Sequence, residues 1–289
     1  MAAHLLVVGG GIGGLASALA LSQRGHRVDV FEQAPAFTEV GAGIQLGPNV
    51  TRRLHDLQLA MPLAAIAGEP QALVVRDAGS NAELARMPLA NDFRTRYGAP
   101  YLCVHRADLQ AVLLEAVRAR GRGLLSTDAR ITQIETSDDL ACVTATAMRG
   151  SEMWACEGDA LIGADGLWSA VRRKIVDPDD APRSTGHTAW RGLVAQATLP
   201  ASLRRDRVDV WLGPRLHAVA YPVRGGEWLN VVVIAEATSS GEARDWDQMA
   251  TLGAMAQATG QVGSALQSLL DAVPGWRAWS LFDRPPLAS

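Results

Sequence analysis

The apolar positions near the N-terminus predict a strand, a helix and a second strand. His4 to Val8 is a short apolar run typical of a buried strand, and Arg27 to Phe31 forms a second such run. Between them, residues 13–24 carry apolar side chains at helical spacing after a glycine-rich turn. This order predicts a βαβ unit at the start of the chain.

The middle of the chain predicts further helices and a β-rich meander. Apolar side chains recur at helical spacing over residues 106–120, which predicts an amphipathic helix. Residues 41–49 carry turn signals and are predicted as a loop, and residues 50–59 follow as a helix. Short strands are predicted over residues 72–76, 83–88, 124–127, 130–136, 140–147, 152–157 and 160–162.

The last third of the chain predicts a second sheet. Residues 177–182 contain aspartates and prolines typical of a linker. Longer alternating runs follow over residues 187–198, 208–212, 217–222 and 228–236, and a helical stretch is predicted over residues 245–273. The whole pattern indicates an α/β fold with one Rossmann-like lobe and one mixed β-sheet lobe.

Composition and charge narrow the classes of function. The chain has 289 residues, of which 48% are hydrophobic, with a formal net charge of -3, and it has no long basic run. We therefore expect no nucleic acid partner and no membrane association. Cys103, Cys142 and Cys156 are far apart and not clustered with histidines, which argues against a disulfide framework and a metal site and favours a cytoplasmic location.

The first candidate motif is Gly9-x-Gly11-x-x-Gly14 between the first strand and the first helix. Glu32 ends the second strand 18 residues after Gly14, which is close to the spacing of an acid that binds a ribose. The glycines allow a tight turn and a close approach of the backbone to a pyrophosphate, while the helix N-terminus attracts its charge. The alternative is a tight turn without a ligand.

The second candidate motif is Asp165-Gly166-x-x-Ser169-x-x-Arg172, which follows a predicted apolar strand. An aspartate there can accept hydrogen bonds from ribityl hydroxyls or cap the next helix. Arg172 offers a planar charge to a phosphate or to another loop. Taken alone, the motif favours a helix cap with a surface arginine.

The third candidate pair is His217 and Tyr221 on one predicted strand. Residues four apart on a strand point to the same face, with Cα atoms roughly 13 Å apart, so both side chains can reach one aromatic ring. The alternative is a core histidine and a tyrosine that extends to the surface.

These motifs together resemble the single-component FAD-dependent aromatic hydroxylases of the para-hydroxybenzoate hydroxylase class. The first motif fits the family pattern at Gly9, Gly11, Gly14, Ala18, Leu21, Gly25, Val28, Val30 and Glu32, and the second fits at Asp165, Gly166, Ser169 and Arg172. The segments 31–37, 41–49 and 97–99 are similar to the branch with salicylate hydroxylase, 3-hydroxybenzoate 6-hydroxylase and 6-hydroxynicotinate 3-monooxygenase. In the hydroxynicotinate branch a histidine occupies the position of Gln45.

The resemblance implies a flavoprotein monooxygenase that hydroxylates a phenolic aromatic acid, with NADH or NADPH as co-substrate. It places His217 as the base that takes the phenol proton and Tyr221 as a residue that orients the phenol or the carboxylate. The residues it implies for FAD binding are Gly9, Gly11, Ile12, Gly13, Gly14, Glu32, Gln33, Gln45, Arg106, Ile131, Asp165, Gly166 and Arg172. For Arg106, a solvated arginine at a helix start is the alternative.

The resemblance also implies how the chain is divided. Residues 1–69 and 103–180 are expected to form the FAD-binding domain, interleaved with a substrate domain over residues 70–102 and 181–280. A third family motif, a Gly-Asp pair, is expected beyond a segment like 281–287, so we interpret the sequence as truncated at the C-terminus. A non-catalytic remnant and an NAD-dependent dehydrogenase are the alternative functions, and a homodimer is compatible with the sequence.

Overall fold

A computed structural model describes residues 2–38, 41–137, 139, 142–176, 181–237 and 244–286. The chain separates into two compact units, and each unit combines segments that are distant in the sequence. The first unit comprises Met1–Glu39, Leu109–Arg183 and Asp283–Ser289, and the second comprises Val40–Asp108 and Ser184–Phe282.

The helices and strands have the following bounds in the described part of the chain. The strands are β1 (His4–Val8), β2 (Arg27–Phe31), β3 (Gly43–Leu46), β4 (Ala72–Asp77), β5 (Glu83–Pro88), β6 (Leu102–His105), β7 (Leu125–Ser126), β8 (Arg130–Thr136), β9 (Val143–Arg149), β10 (Glu152–Gly158), β11 (Ala160–Gly163), β12 (Arg183–Ala195), β13 (Val208–Gly213), β14 (Leu216–Val223), β15 (Trp228–Glu236), β16 (Gln248–Ala250) and β17 (Trp276–Asp283). The α-helices are α1 (Ile12–Gln23), α2 (Pro48–Asp56), α3 (Ala60–Ile66), α4 (Asn91–Tyr97), α5 (Arg106–Arg120), α6 (Ala170–Ile175), α7 (Leu252–Thr259) and α8 (Ser264–Asp271).

The first unit is built on a parallel sheet with strand order β11-β1-β2-β7. Val8 at the end of β1 pairs with Phe31 on one side and with Gly163 on the other. The carboxyl ends of three strands therefore meet at one edge, as ligand-binding edges of parallel sheets do. This edge brings together the residues that follow each strand, namely Gly9, Glu32 and Asp165. A second, antiparallel sheet has the order β10-β9-β8.

The second unit is built on a mixed sheet with strand order β16-β17-β12-β15-β14-β13-β4-β5. Alternate side chains of its central strand β14 face opposite ways. Ala218 and Ala220 pack in a core with Leu266 and Leu269 of α8, while Val219 and Tyr221 pack in a separate cluster. One face of the sheet is thus covered by helices, and the other carries the candidate catalytic side chains.

A two-stranded antiparallel ribbon of β3 and β6 packs against that second face. A Cβ at Gly43 would lie 2.5 Å from Cε2 of Tyr221, so only glycine allows this approach. Asn230 on β15 accepts a hydrogen bond from the Gly43 N–H at 2.9 Å. The side-chain hydrogen bond of Asn230 therefore holds the ribbon against β14 and β15, and the absence of a side chain at Gly43 permits the close contact.

The sequence predictions hold for most elements, fail in two regions and omit α3, α4, β6 and β17. The fold class is confirmed, and α5, β1, β2 and β15 have the predicted bounds. The loop predicted over residues 41–49 instead contains β3 and the start of α2. The single helical stretch predicted over residues 245–273 is wrong, because Thr251 caps the start of α7 and Gly260, with φ +66, follows its end.

Other predictions concern the boundaries of the two predicted domains. Residues 40–69 and 103–108 cluster with the second unit, whereas the sequence division assigns them to the FAD-binding domain. Their pairing as the β3–β6 ribbon and the hydrogen bond to Asn230 account for this clustering. Residues 140–141 of one predicted strand and 177–180 of the predicted linker lie outside the described residues. The assignment of cofactor and substrate to these segments stays a prediction.

Two glycines in the first turn of α1 provide a test of the packing. A Cβ at Gly14 would lie 1.9 Å from the carbonyl oxygen of Gly9, whereas a Cβ at Gly13 would meet nothing within 4 Å. Gly14→Ala should lower the free energy of unfolding by about 1–3 kcal/mol through overpacking. Gly13→Ala should change it by less than about 1 kcal/mol, in the stabilising direction. Urea denaturation measures both, and equal stabilities would contradict the packing of this turn.

Candidate cofactor site and active site

The glycine turn after β1 has a packed side and an open side. Gly9 has φ +107, and a Cβ there would lie 2.3 Å from the carbonyl oxygen of Ala164. At Gly11 and Gly13, in contrast, a Cβ would meet nothing within 4 Å. Gly9 is therefore required by the fold itself, while the backbone at Gly11 and Gly13 borders space that a ligand can occupy.

The open side of the turn coincides with the N-terminus of α1. Gly11 is the N-cap residue and offers no side chain to the first helical N–H groups, and the first turn carries no acidic residue. Helix N-terminal N–H groups and the helix dipole attract anions. The backbone around Ile12 therefore suits a pyrophosphate.

Glu32 is tied into the same edge of the sheet. Its carboxylate accepts hydrogen bonds from Gly10 N–H at 2.7 Å and from Ala34 N–H at 2.8 Å. Each carboxylate oxygen has a second lone pair, so Glu32 can still accept a ribose hydroxyl. Gln33, the next residue, is exposed.

Two residues that the sequence reasoning missed support this turn. Gln110 on α5 is buried, and its Nε2 donates to the carbonyl oxygen of Gly10 at 3.0 Å. The ring of Phe37 fills the space that a Cβ of Gly10 would need. A glutamine among the buried positions of an amphipathic helix was the available signal, because buried amides require partners.

The Asp165 motif forms a helix cap. One oxygen of Asp165 accepts from the N–H groups of Ala170 at 2.7 Å and Val171 at 3.1 Å, and Ser169 accepts from Arg172 N–H at 2.9 Å. Gly166 has φ +73, a conformation that favours glycine. The capping alternative is thus present in the structure, and a flavin contact of Asp165 stays a prediction.

Arg172 and Ile131 occupy different places in the first unit. The Arg172 guanidinium donates to the carbonyl oxygen of Pro285 at 3.3 Å, so it contacts another loop. Ile131 lies on β8 opposite Ala147, beside an irregularity in the pairing of β8 with β9. These positions neither support nor contradict the FAD contacts predicted for the two residues.

The structure brings His217 and Tyr221 to the same face of β14. Val219 lies between them, and Tyr221 pairs with Asn230 on the neighbouring strand. His217 is exposed, whereas Tyr221 is 3% exposed. Desolvation, and secondarily the charge of His187, lower the pKa of His217, so its imidazole is neutral at neutral pH and can accept a proton.

Gln45 and Arg106 both belong to the second unit. Gln45 is on β3, and its Oε1 accepts a hydrogen bond from the Tyr101 hydroxyl at 2.5 Å. Arg106 begins α5, and its N–H donates to the carbonyl oxygen of Ala42 at 2.8 Å. Burial raises the pKa of Tyr221, and the positive charge of Arg106 opposes this shift. Arg106 therefore places a cation near the candidate active site.

Neither a metal-binding cluster nor a helix suited to span a membrane is present among the described residues. No group of three or more His, Cys, Asp or Glu side chains in them is arranged to hold a metal ion. None of their helices combines the length and the apolar character that crossing a membrane requires.

A turn with backbone open to a pyrophosphate and an acid for a ribose defines a nucleotide-binding protein of the Rossmann type. Comparisons with known proteins specify the nucleotide. A family profile described as an FAD binding domain matches residues 2–266. The chain belongs to this family of FAD-dependent proteins, and its relatives are aromatic-ring monooxygenases.

Individual relatives cover nearly the whole chain. The 3-hydroxybenzoate 6-hydroxylase of Polaromonas naphthalenivorans is 39% identical over 98% of this chain and 68% of its own length. The 6-hydroxynicotinate 3-monooxygenase of Bordetella bronchiseptica is 32% identical over 98% of this chain and 72% of its own. A solved structure of Klebsiella pneumoniae HpxO with FAD and uric acid is similar with a TM-score of 0.82, at 26% identity over 98% of this chain and 69% of that chain.

These comparisons confirm the family predicted from the sequence and FAD as its cofactor. They favour a flavin-dependent monooxygenase over an NAD-dependent dehydrogenase. The open glycine backbone and the remaining lone pairs of Glu32 fit the adenosine diphosphate part of FAD.

The cap formed by Asp165 gives a prediction about stability. Asp165→Ala removes the acceptor of two helical N–H groups and should lower the free energy of unfolding by about 1–2 kcal/mol. Asp165→Asn retains an acceptor oxygen and should lower the free energy of unfolding by a smaller amount. The measurement is urea denaturation without added flavin, and an unchanged midpoint for the alanine variant would show that the cap does not contribute to stability.

Proposed function

We propose that this chain hydroxylates a phenolic aromatic acid of the hydroxybenzoate or hydroxynicotinate type, with FAD, NADH or NADPH, and molecular oxygen. The observation that carries the proposal is the pair His217 and Tyr221 on one face of β14, opposite the face that the helices cover, in a chain of the FAD-binding family. The printed names of the relatives from Polaromonas and Bordetella support this substrate class. A cytoplasmic enzyme, with or without dimerisation, fits the proposal.

The proposed FAD contacts are the residues that the family resemblance implies. In the first unit, the N–H groups near Gly11 and Gly13 would bind the pyrophosphate and Glu32 the adenosine ribose. In the second unit, Gln45 and Arg106 are proposed contacts of the flavin. When bound, FAD supplies the electron transfer from NADH or NADPH and the activation of oxygen.

His217 is the proposed general base. A phenol becomes a stronger nucleophile at its ring carbons when it loses its proton. The lowered pKa of His217 keeps the imidazole in its accepting form at neutral pH. Hydroxylation should therefore decrease as the pH falls below the usual histidine value of about 6.5 and His217 becomes protonated.

Tyr221 is the proposed orienting residue. Burial raises the pKa of its phenol, so the hydroxyl stays protonated and can donate a hydrogen bond throughout the physiological range. Its ring is fixed by Gly43 and by the apolar cluster around Cys103 and Val223. A rigid donor at this position can hold one oxygen of a substrate ring.

The role of Glu32 can be tested with two flavins. Glu32→Ala should weaken FAD binding by about 1.5–3 kcal/mol if the ribose hydrogen bonds are charge-assisted. FMN lacks the adenosine ribose, so its affinity should change little. Titration by fluorescence measures both, and an unchanged FAD affinity would remove Glu32 from the site, while an equal loss for FMN would indicate that the variant only disturbs the turn.

The role of His217 can be tested through the pH dependence of hydroxylation. His217→Ala should slow product formation by roughly 10²–10⁴-fold, the usual contribution of a general base, while FAD binding stays intact. Alkaline pH should restore part of the rate because the phenol then ionises without the base. His187→Ala, which removes the neighbouring imidazole, is the matched control and should change the rate only slightly.

Rapid mixing of oxygen with the reduced protein and 3-hydroxybenzoate isolates the hydroxylation step. A wild-type rate in the His217 variant would exclude the base role. A less stable protein without recovery at high pH would show that His217 only packs.

A further inference from the structure

The side-chain amide of Gln45 is held in one orientation by a tyrosine. Tyr101 donates its hydroxyl hydrogen to Oε1 of Gln45 at 2.5 Å. An amide whose carbonyl oxygen is engaged in this way presents its Nε2 hydrogens to any bound group. Gln45 therefore acts as a hydrogen-bond donor.

Tyr101 is itself fixed in place. Its ring makes an edge-on contact with Phe93, with centroids 6.2 Å apart. Burial raises the pKa of Tyr101 to about 12, so its hydroxyl keeps the hydrogen that it donates. The orientation of the Gln45 amide thus rests on a group that does not titrate near neutral pH.

The geometry of β3 directs Gln45 toward the candidate active site. Gly43 and Gln45 are two positions apart, so their side-chain directions are the same. The side-chain direction of Gly43 points at the ring of Tyr221, whose hydroxyl oxygen would lie 2.7 Å from a Cβ at Gly43. Tyr101, which holds the Gln45 amide, packs in the same apolar cluster as Tyr221, so the amide lies near Tyr221.

A cavity beside Asn230, the strand partner of Tyr221, carries charge that favours an anion. Arg191 and Arg277 line a cavity of about 470 Å³ together with Asp247 and Asn230. Arg191 forms an ion pair with Asp247 at 2.7 Å, so among these charged side chains one positive charge is in excess. Arg106 adds a further positive charge near Tyr221.

We propose that Tyr101 is a positioning residue that fixes the Gln45 amide as a donor, and that this donor binds the carboxylate of an aromatic acid. The inference rests on the proposed function, and it assigns the carboxylate to the Tyr221 end and the phenol to the His217 end. A carboxylate only accepts hydrogen bonds, so it matches an amide whose carbonyl oxygen is already used. Gln45 should add nothing to the affinity for a substrate that lacks a carboxylate.

The test compares two ligands that differ in the carboxylate. The affinities of 3-hydroxybenzoate and of 3-methylphenol are measured by titration calorimetry on the full chain with saturating FAD. Gln45→Met removes the donor without adding charge and should weaken 3-hydroxybenzoate by about tenfold or more. The affinity of 3-methylphenol should be unchanged.

Tyr101→Phe tests the positioning role. It should lower the affinity for 3-hydroxybenzoate by about three- to tenfold in the otherwise unmodified chain. In a chain that already carries Gln45→Met, it should cause no further loss of affinity. Gln45→Glu retains the acceptor for Tyr101 but removes the donor, and it should weaken 3-hydroxybenzoate more than Gln45→Met does. Tyr97→Phe is the matched control, because Tyr97 stacks on the same Phe93 and should leave both affinities unchanged.

Several results would overturn the proposal. These are an unmodified chain that does not bind 3-hydroxybenzoate, equal losses for both ligands, additive effects of Tyr101→Phe and Gln45→Met, and variants that weaken FAD instead of the acid. The proposed function is scored separately by formation of hydroxylated product. Selective binding of the acid without product would contradict that function and leave the role of Gln45 and Tyr101 supported.

Discussion

The hydrogen bond between Gly43 and Asn230 places the segment with Gln45 and Arg106 against the sheet that carries His217 and Tyr221. It joins a two-stranded ribbon to the centre of the large sheet, and the missing side chain of Gly43 lets the ribbon contact Tyr221 directly. Gln45 follows two residues later on the ribbon. Arg106 is attached to the same segment through the carbonyl oxygen of Ala42. One side-chain amide therefore attaches the segment that carries a donor and a cation to the sheet next to Tyr221.

The two units contribute different kinds of chemistry. The first unit offers backbone N–H groups at a helix start, where side chains are small or absent, so it suits a phosphate. The second unit offers a neutral imidazole, a protonated phenol and an oriented amide. This arrangement agrees with a flavoprotein in which the protein binds, orients and exchanges protons while the cofactor carries the redox chemistry.

Features with a local physical cause could be predicted from the sequence. The glycine turn was predictable because positive φ and close packing exclude side chains, and α5 because its apolar residues repeat at helical spacing. The alternation of β14 placed His217 and Tyr221 on one face. Partners distant in the sequence were not predictable: Gln110 and Gly10 are 100 residues apart, and Tyr101 and Gln45 are 56 apart. The ribbon strand β3 escaped prediction because its four residues lie between Gly41 and Gly47-Pro48, and this surrounding of turn residues resembles a loop.

The fixed amide of Gln45 has a consequence for how the protein responds to acidity. Amide and guanidinium groups keep the same protonation state across the range in which histidine titrates. A carboxylate that such groups bind keeps a nearly constant affinity while the protonation state of His217 changes. Acidification would then leave the ligand bound but unreacted. Binding affinity would depend on the end of the site with Gln45, and the reaction rate on the end with His217.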